Sequence, residues 1–197
     1  RYGMTETGIL TTNPYEGDRR PGTVGFPLPD VEVRVVPTDD GRSGTTGIVQ
    51  VRGPGVFAGY WQRPDATDDS FTADGWFVTG DVGAVDVEGR LRLEGRAGDM
   101  IISGGENVYP REIELVLDEV DGVAESAVVG VPDDDLGERV VAVVVADGDP
   151  PPESNLRRAL DGRLARFKHP KRIVWVDALP RNTMGKVQKH LLRAELG

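Results

Sequence analysis

Apolar and polar residues follow two different rhythms in this chain, and the change falls near residue 98. Upstream, Val31, Val33 and Val35 alternate with Glu32 and Arg34, and Val49 and Val51 alternate with Gln50 and Arg52. A period of two predicts half-buried strands, here joined by a turn around Gly41 to Gly47. Trp76-Phe77-Val78 and Leu91-Arg92-Leu93 predict a second pair, separated by the turn chemistry of Asp86-Val87-Glu88-Gly89. Residues 24–95 therefore read as β-rich, a small barrel or a distorted sheet.

Downstream the elements alternate. Pro110-Arg111-Glu112 has the marks of a helix start, with proline in the first turn, an acid near the N-terminus and Ile113, Val116, Leu117 and Val120 at helical spacing. Two unbroken apolar runs, Ala127 to Val131 and Val140 to Val145, predict strands covered on both faces. Leu156, Leu160 and Leu164 mark a second helix, Arg172 to Val176 a third strand, and Leu191, Leu192 and Leu196 a last helix. The order helix, two strands, helix, strand, helix gives a compact α+β second half. Pro150-Pro151-Pro152 fits a rigid surface turn inside it.

Composition narrows the functions that such a chain can serve. With 197 residues and 38% hydrophobic content it can bury a core in one large or two small domains, and two are expected. A formal charge of −10 opposes bulk nucleic-acid binding and favours small-molecule partners. The absence of cysteine excludes disulfides, thiolate metal sites and a cysteine nucleophile, and fits a cytoplasmic location. No apolar run reaches membrane-spanning length.

Candidate chemistry is spread along the chain. Asp81, after a strand and a Thr-Gly turn, is expected at a strand end with its carboxylate exposed to two neighbouring hydroxyls such as a ribose offers; a turn-capping aspartate is the plainer alternative. Arg96 could donate to the same sugar or lie on the surface. Thr5 and Glu6 suit phosphate and Mg²⁺ contacts, or simply a helix start. Ser103-Gly104-Gly105, after the Met100-Ile101-Ile102 strand, is a tight turn first and a cradle for a long cofactor arm second. Lys186, after a glycine on a proline-started loop, suits a developing phosphate charge. Ser43-Gly44-Thr45-Thr46-Gly47 lacks the lysine of a phosphate loop and reads as a hairpin turn. His169 and His190 read as solvated. Arg166, Lys168, Lys171 and Arg172 form a solvated face that could also attract nucleotide phosphates.

Five segments in fixed order, Tyr2-Gly3-Met4-Thr5-Glu6, Trp76 to Asp81, Gly95 to Asp99, Ser103 to Asn107 and Pro180 to Lys186, carry a resemblance to the adenylate-forming superfamily of acyl-CoA synthetases, peptide-synthetase adenylation domains and luciferases. The resemblance covers nearly the whole chain. It implies ATP contacts from Tyr2, Thr5, Asp81, Arg96 and Lys186, Mg²⁺ near Glu6, and coenzyme A against Ser103, Gly104, Gly105 and Glu106. It implies a β-rich end of the large domain over residues 1–97 and a small mobile α+β domain over residues 98–197. The hinge would fall at Gly98, where many members carry Asp or Lys.

The wording of Arg1 to Thr7, Gly22 to Gly25 and Pro180 to Lys186 is most similar to malonyl-CoA synthetases, which implies carboxylic-acid contacts from Arg1, Gly22 and Gly25. An arginine beside the acyl pocket could pair with a second carboxylate. Gly104 to Pro110 also resembles general fatty acyl-CoA synthetases. The family's Ser/Thr/Gly-rich phosphate loop is not in this sequence, so the chain by itself is expected to be inactive.

The expectation is therefore an ATP-dependent ligase forming an acyl-adenylate and then an acyl-CoA, with malonate or methylmalonate as the acid. A medium or long fatty acid is the alternative substrate. A module whose Lys186 is modified by a protein acyltransferase is the non-enzyme alternative.

Overall fold

The structure, a computed structural model, describes residues 1–37 and 46–197. Most of the predicted turn around Gly41 to Gly47, and most of Ser43 to Gly47, lie outside the described residues. The chain divides into two compact units, Arg1–Gly98 and Asp99–Gly197.

In the first unit β1 (Tyr2–Met4), β2 (Gly8–Thr12) and β3 (Phe26–Pro27) make a small antiparallel sheet. The strands β4 (Glu32–Pro37) and β5 (Thr46–Arg52) lead through a short helix, α1 (Pro64–Asp68), to β6 (Phe77–Val85) and β7 (Leu91–Arg96). Among the described residues these four strands form an antiparallel meander in sequence order, an open four-stranded sheet. The β6–β7 turn has the expected chemistry: Asp86 Oδ1 accepts from the N–H of Glu88 and of Arg90, both at 2.9 Å. The two sheets are stitched where Val24 N–H donates to the Leu91 carbonyl and Leu91 N–H to that of Gly25. Alternation then delivers Tyr2, Leu10, Val49, Val51, Phe77 and Leu91 to one shared core.

The second unit opens with a hairpin, β8 (Ile101–Ser103) and β9 (Glu106–Val108), followed by α2 (Pro110–Leu117). The long antiparallel pair β10 (Val123–Asp133) and β11 (Gly137–Ala146) comes next. It is followed by α3 (Glu153–Asp161), β12 (Arg172–Val176) and α4 (Lys189–Leu196). β11 is central, antiparallel to β10 and β8 and parallel to β12. The unbroken valine runs have the reason anticipated for them. Val128, Val140, Ala142 and Val144 face the apolar side of α2 and α3, while Ala127, Val129, Val131, Val141 and Val143 face Leu179 and Leu192. One sheet separates two cores.

α3 ends at Asp161, so Leu164 is not in the helix that its spacing suggested; it packs against the same core from the segment beyond. His169 is not solvated as expected: its ring is largely buried and its Nε2 lies 3.1 Å from the Leu164 carbonyl. Pro150-Pro151-Pro152 runs into the start of α3, and Pro151 packs against Gly122.

Candidate functional site

Asp81 does not end a strand. Thr79 and Gly80 form a bulge within β6, because partners two apart on β5, Ile48 and Gln50, face Val82 and Val78. Gly80 holds the positive φ of 73° that the bulge needs. A second irregularity follows on the other edge, where Val82 and Gly83 face Gly95 and Leu93 of β7. Between these distortions Asp81 sits opposite Arg96 and is only 6% exposed.

Its carboxylate is held from two directions and its backbone from a third. The Tyr2 hydroxyl donates to Oδ2 at 2.5 Å, and Arg96 Nε meets Oδ1 at 2.7 Å. The Thr79 hydroxyl accepts from Asp81 N–H at 3.1 Å while donating to the Val49 carbonyl at 2.8 Å. Burial raises the pKa of the Tyr2 phenol, and the Asp81 carboxylate raises it further. Tyr2 is therefore fixed as a donor. A carboxylate oxygen has two acceptor positions, so Asp81 with one partner on each oxygen retains capacity for a diol.

Glu6 lies in the turn between β1 and β2, not at a helix start. Its Oε1 accepts from the Tyr60 hydroxyl at 3.2 Å, and its carbonyl accepts from Phe57 N–H at 2.7 Å. Tyr60 is in turn braced edge-on by Phe57, which also contacts Phe71 and Phe77. Thr5 beside it is exposed. Among the described residues no group of three His, Asp or Glu side chains could hold a metal ion by itself. A single carboxylate is still adequate for Mg²⁺ that arrives on a nucleotide and keeps phosphate and water oxygens in its shell.

The residues assigned to the carboxylic acid do not converge on one recess. Arg1 lines a cavity of about 420 Å³ with Thr12, Asn13, Tyr15 and Arg19. Gly22 lines a different one of about 470 Å³ with Arg20, Asp86 and Arg92. Gly25 is buried, and a Cβ there would lie 2.1 Å from the Thr12 carbonyl oxygen, so close backbone packing already accounts for the glycine.

In the second unit Ser103 and Glu106 face each other across the hairpin formed by β8 and β9. Gly104 and Gly105, at φ 60° and 78°, form its two-residue turn. Positive φ at both positions is what a tight hairpin turn matched to strand twist requires. Both glycines are exposed and Gly104 N–H donates to the Leu136 carbonyl at 2.9 Å. Lys186 is exposed at the end of a small loop that begins at Asn182, and among the described residues its ammonium has no ion pair. Lys168 of the basic cluster is not free: its Nζ lies 2.6 Å from Glu112. Gly98 stands at the junction of the two units with no heavy atom within 4 Å of where a Cβ would be.

Residues 1–61 match the AMP-binding enzyme family, and residues 112–186 match the AMP-binding enzyme C-terminal domain. The chain belongs to the AMP-binding enzymes. ATP-bound MatB from Rhodopseudomonas palustris is 52% identical to it with a TM-score of 0.87, over 99% of this chain and 40% of that one. The indoleacetate–CoA ligase of Aromatoleum aromaticum is 45% identical over 98% of this chain and 38% of its own length. A long-chain-fatty-acid–CoA ligase of Escherichia coli O157:H7 is 42% identical over 98% and 35%. The chain thus spans between 35% and 40% of the length of these relatives. Among its described residues no helix is long and apolar enough to cross a membrane.

Three contacts of this AMP-binding chain escaped the sequence reading: Tyr2 to Asp81, Tyr60 to Glu6 and Arg181 to Glu125. Each joins residues more than fifty positions apart. No local spacing signals such a pair. The one usable hint was the tyrosine placed next to Arg1 in the first segment.

Proposed function

We propose that the protein carrying this chain is an acid–CoA ligase that uses ATP to make an acyl-adenylate and then transfers the acyl group to coenzyme A. The observation that carries this reading is the buried Asp81, gripped by Tyr2 and Arg96 with acceptor capacity left over. Such a carboxylate is built to hold a ribose diol without moving. Tyr2 and Thr5 would flank the nucleotide, and Glu6 would offer one oxygen to Mg²⁺, whose charge would offset that of the phosphates. Lys186, an exposed cation at the end of a short loop, would stabilise the charge that develops at the α-phosphate. Ser103, Gly104, Gly105 and Glu106 would offer a bare backbone turn to coenzyme A. Gly98 would be the swivel between the half-reactions.

For the acid we propose malonate or methylmalonate. The recess around Arg1 contains a second arginine and no aliphatic side chain, which suits a carboxylate better than an alkyl tail. The wording of Arg1 to Thr7, Gly22 to Gly25 and Pro180 to Lys186, which resembles malonyl-CoA synthetases, supports the same acid. Relatives named as long-chain-fatty-acid–CoA ligases, at 40% to 46% identity, support the rival acid.

Arg1→Met in the full-length enzyme decides between the acids. The ratio of kcat/KM for malonate to that for butyrate should fall about 10–150-fold, the worth of a charged hydrogen bond in a partly desolvated site. An unchanged ratio would hand the substrate to the fatty acids.

A further inference from the structure

The lysine loop is shaped by side chains to which the proposed chemistry gives no part. Asn182 closes it from inside. Its Oδ1 accepts from Met184 N–H at 3.0 Å and from Lys186 N–H at 2.9 Å. Its own N–H donates to the Lys186 carbonyl at 3.0 Å, and its carbonyl accepts from Gly185 N–H at 2.9 Å. Both backbone polar groups of Lys186 are thus tied to one asparagine four residues earlier. Gly185, at φ 78°, makes the reversal that lets them meet.

Arg181 fixes the same loop from outside. Its Nη1 donates to the Gly185 carbonyl at 2.5 Å, and its Nη2 pairs with Glu125 of β10. A backbone bridge joins Arg181 to Val187, which packs into the core behind β10 and β11. One planar guanidinium therefore links the loop's last turn to the central sheet, something an ammonium with a single nitrogen does poorly.

We propose that Asn182 and Arg181 are positioning residues that preset the backbone from which Lys186 acts, so that only its side chain remains to be ordered during adenylation. The inference rests on the adenylation role proposed for Lys186. A misplacement of about 1 Å in a reacting group costs on the order of 100-fold in rate, so a loop that sets the lysine's backbone has a direct kinetic effect.

The test uses the full-length enzyme and two assays, pyrophosphate release from acid and ATP, and thioester formation from supplied acyl-adenylate. Asn182→Leu removes the acceptor and Arg181→Met removes the guanidinium; each should lower kcat for pyrophosphate release by about 10–100-fold and leave thioester formation unchanged. Asn182→Asp keeps the oxygen acceptor and should stay within about threefold of the parent. The two losses arise from different contacts, so failure of one variant to fold leaves the other decisive. If both variants released pyrophosphate at the parent rate, or if both half-reactions fell together, the positioning role would be lost. Lys186→Ala in the same assays isolates the premise. If it left adenylation intact, the role of Lys186 itself would fall, and the present inference with it.

Discussion

Asp81 and Lys186 are both single charges with a part in the proposed chemistry, yet the chain supports them in opposite ways. Asp81 is buried in a doubly distorted strand, and its partners come from β1, β6 and β7, with Tyr2 seventy-nine positions away. Lys186 is exposed, and the contacts that hold its backbone come from Asn182, within the same short loop. A group that must hold a nucleotide still gains from long-range topology, which leaves it no other place to go. On the proposed scheme Lys186 acts in one step and withdraws in the other, and such a group gains from local support, which travels with it. The contrast lies in the link from sequence to packing, and it predicts different losses.

The largest loss should come from the lysine. Lys186→Ala in the full-length enzyme should cut adenylate formation by on the order of 10²–10³ or more, the scale of one preorganised charge contact. Its unfolding free energy should stay within about 0.5 kcal/mol of the parent, since the ammonium pairs with nothing described. Denaturant titration beside pyrophosphate release checks both halves, and a large destabilisation would erase the contrast.

Asp81→Ala should reverse the pattern. It leaves the Tyr2 hydroxyl buried without its acceptor and the half-exposed Arg96 without its ion. The cost should be about 1–3 kcal/mol of stability, kept low because solvent screens the arginine. Nucleotide affinity should weaken in the same variant. Equilibrium binding of ATP and urea unfolding report the two effects separately, and full stability with weak binding would make Asp81 a ligand group only.

The smallest effect concerns Tyr2 and pH. Burial first, and then the Asp81 carboxylate, raise the folded pKa above the ordinary tyrosine value of about 10. A raised pKa gives stability that is complete below that value and declines as pH rises beyond it, because the unfolded chain releases the proton first. Tyr2→Phe should cost about 1 kcal/mol at neutral pH and should flatten the fall in stability above about pH 10. Parallel slopes for parent and variant in that range would place the phenol in water.

The same contrast explains what could be read in advance. The lysine loop, the Gly104-Gly105 turn, the proline-led start of α2 and the valine runs of β10 and β11 are all local signals, and each matches an observed element. Asp81 was misplaced because a glycine with positive φ followed by a polar residue has the same local signature in a bulge as in a terminating turn. The plainer alternative for Glu6, a helix start, is not found: Thr-Glu is capping chemistry only where a helix follows, and Tyr60, its actual partner, lies fifty-four positions on. His169 was read from its basic neighbours and not from the carbonyl that the chain's path brings to it.

The two cores of the second unit share a wall, and that wall gives the unit an order of opening. β11 has hydrogen-bonded neighbours on both edges and apolar cover on both faces, so its amide protons should be the slowest in the unit to exchange with solvent. α4 contributes Leu192 and Leu196 to one core only. Fraying of the C-terminal segment therefore forfeits that core alone, while α2 and α3 stay seated on the opposite face. Deuterium uptake should show the segment from Lys186 onward opening as a separate cooperative block, at a free energy well below that of the sheet to which it returns.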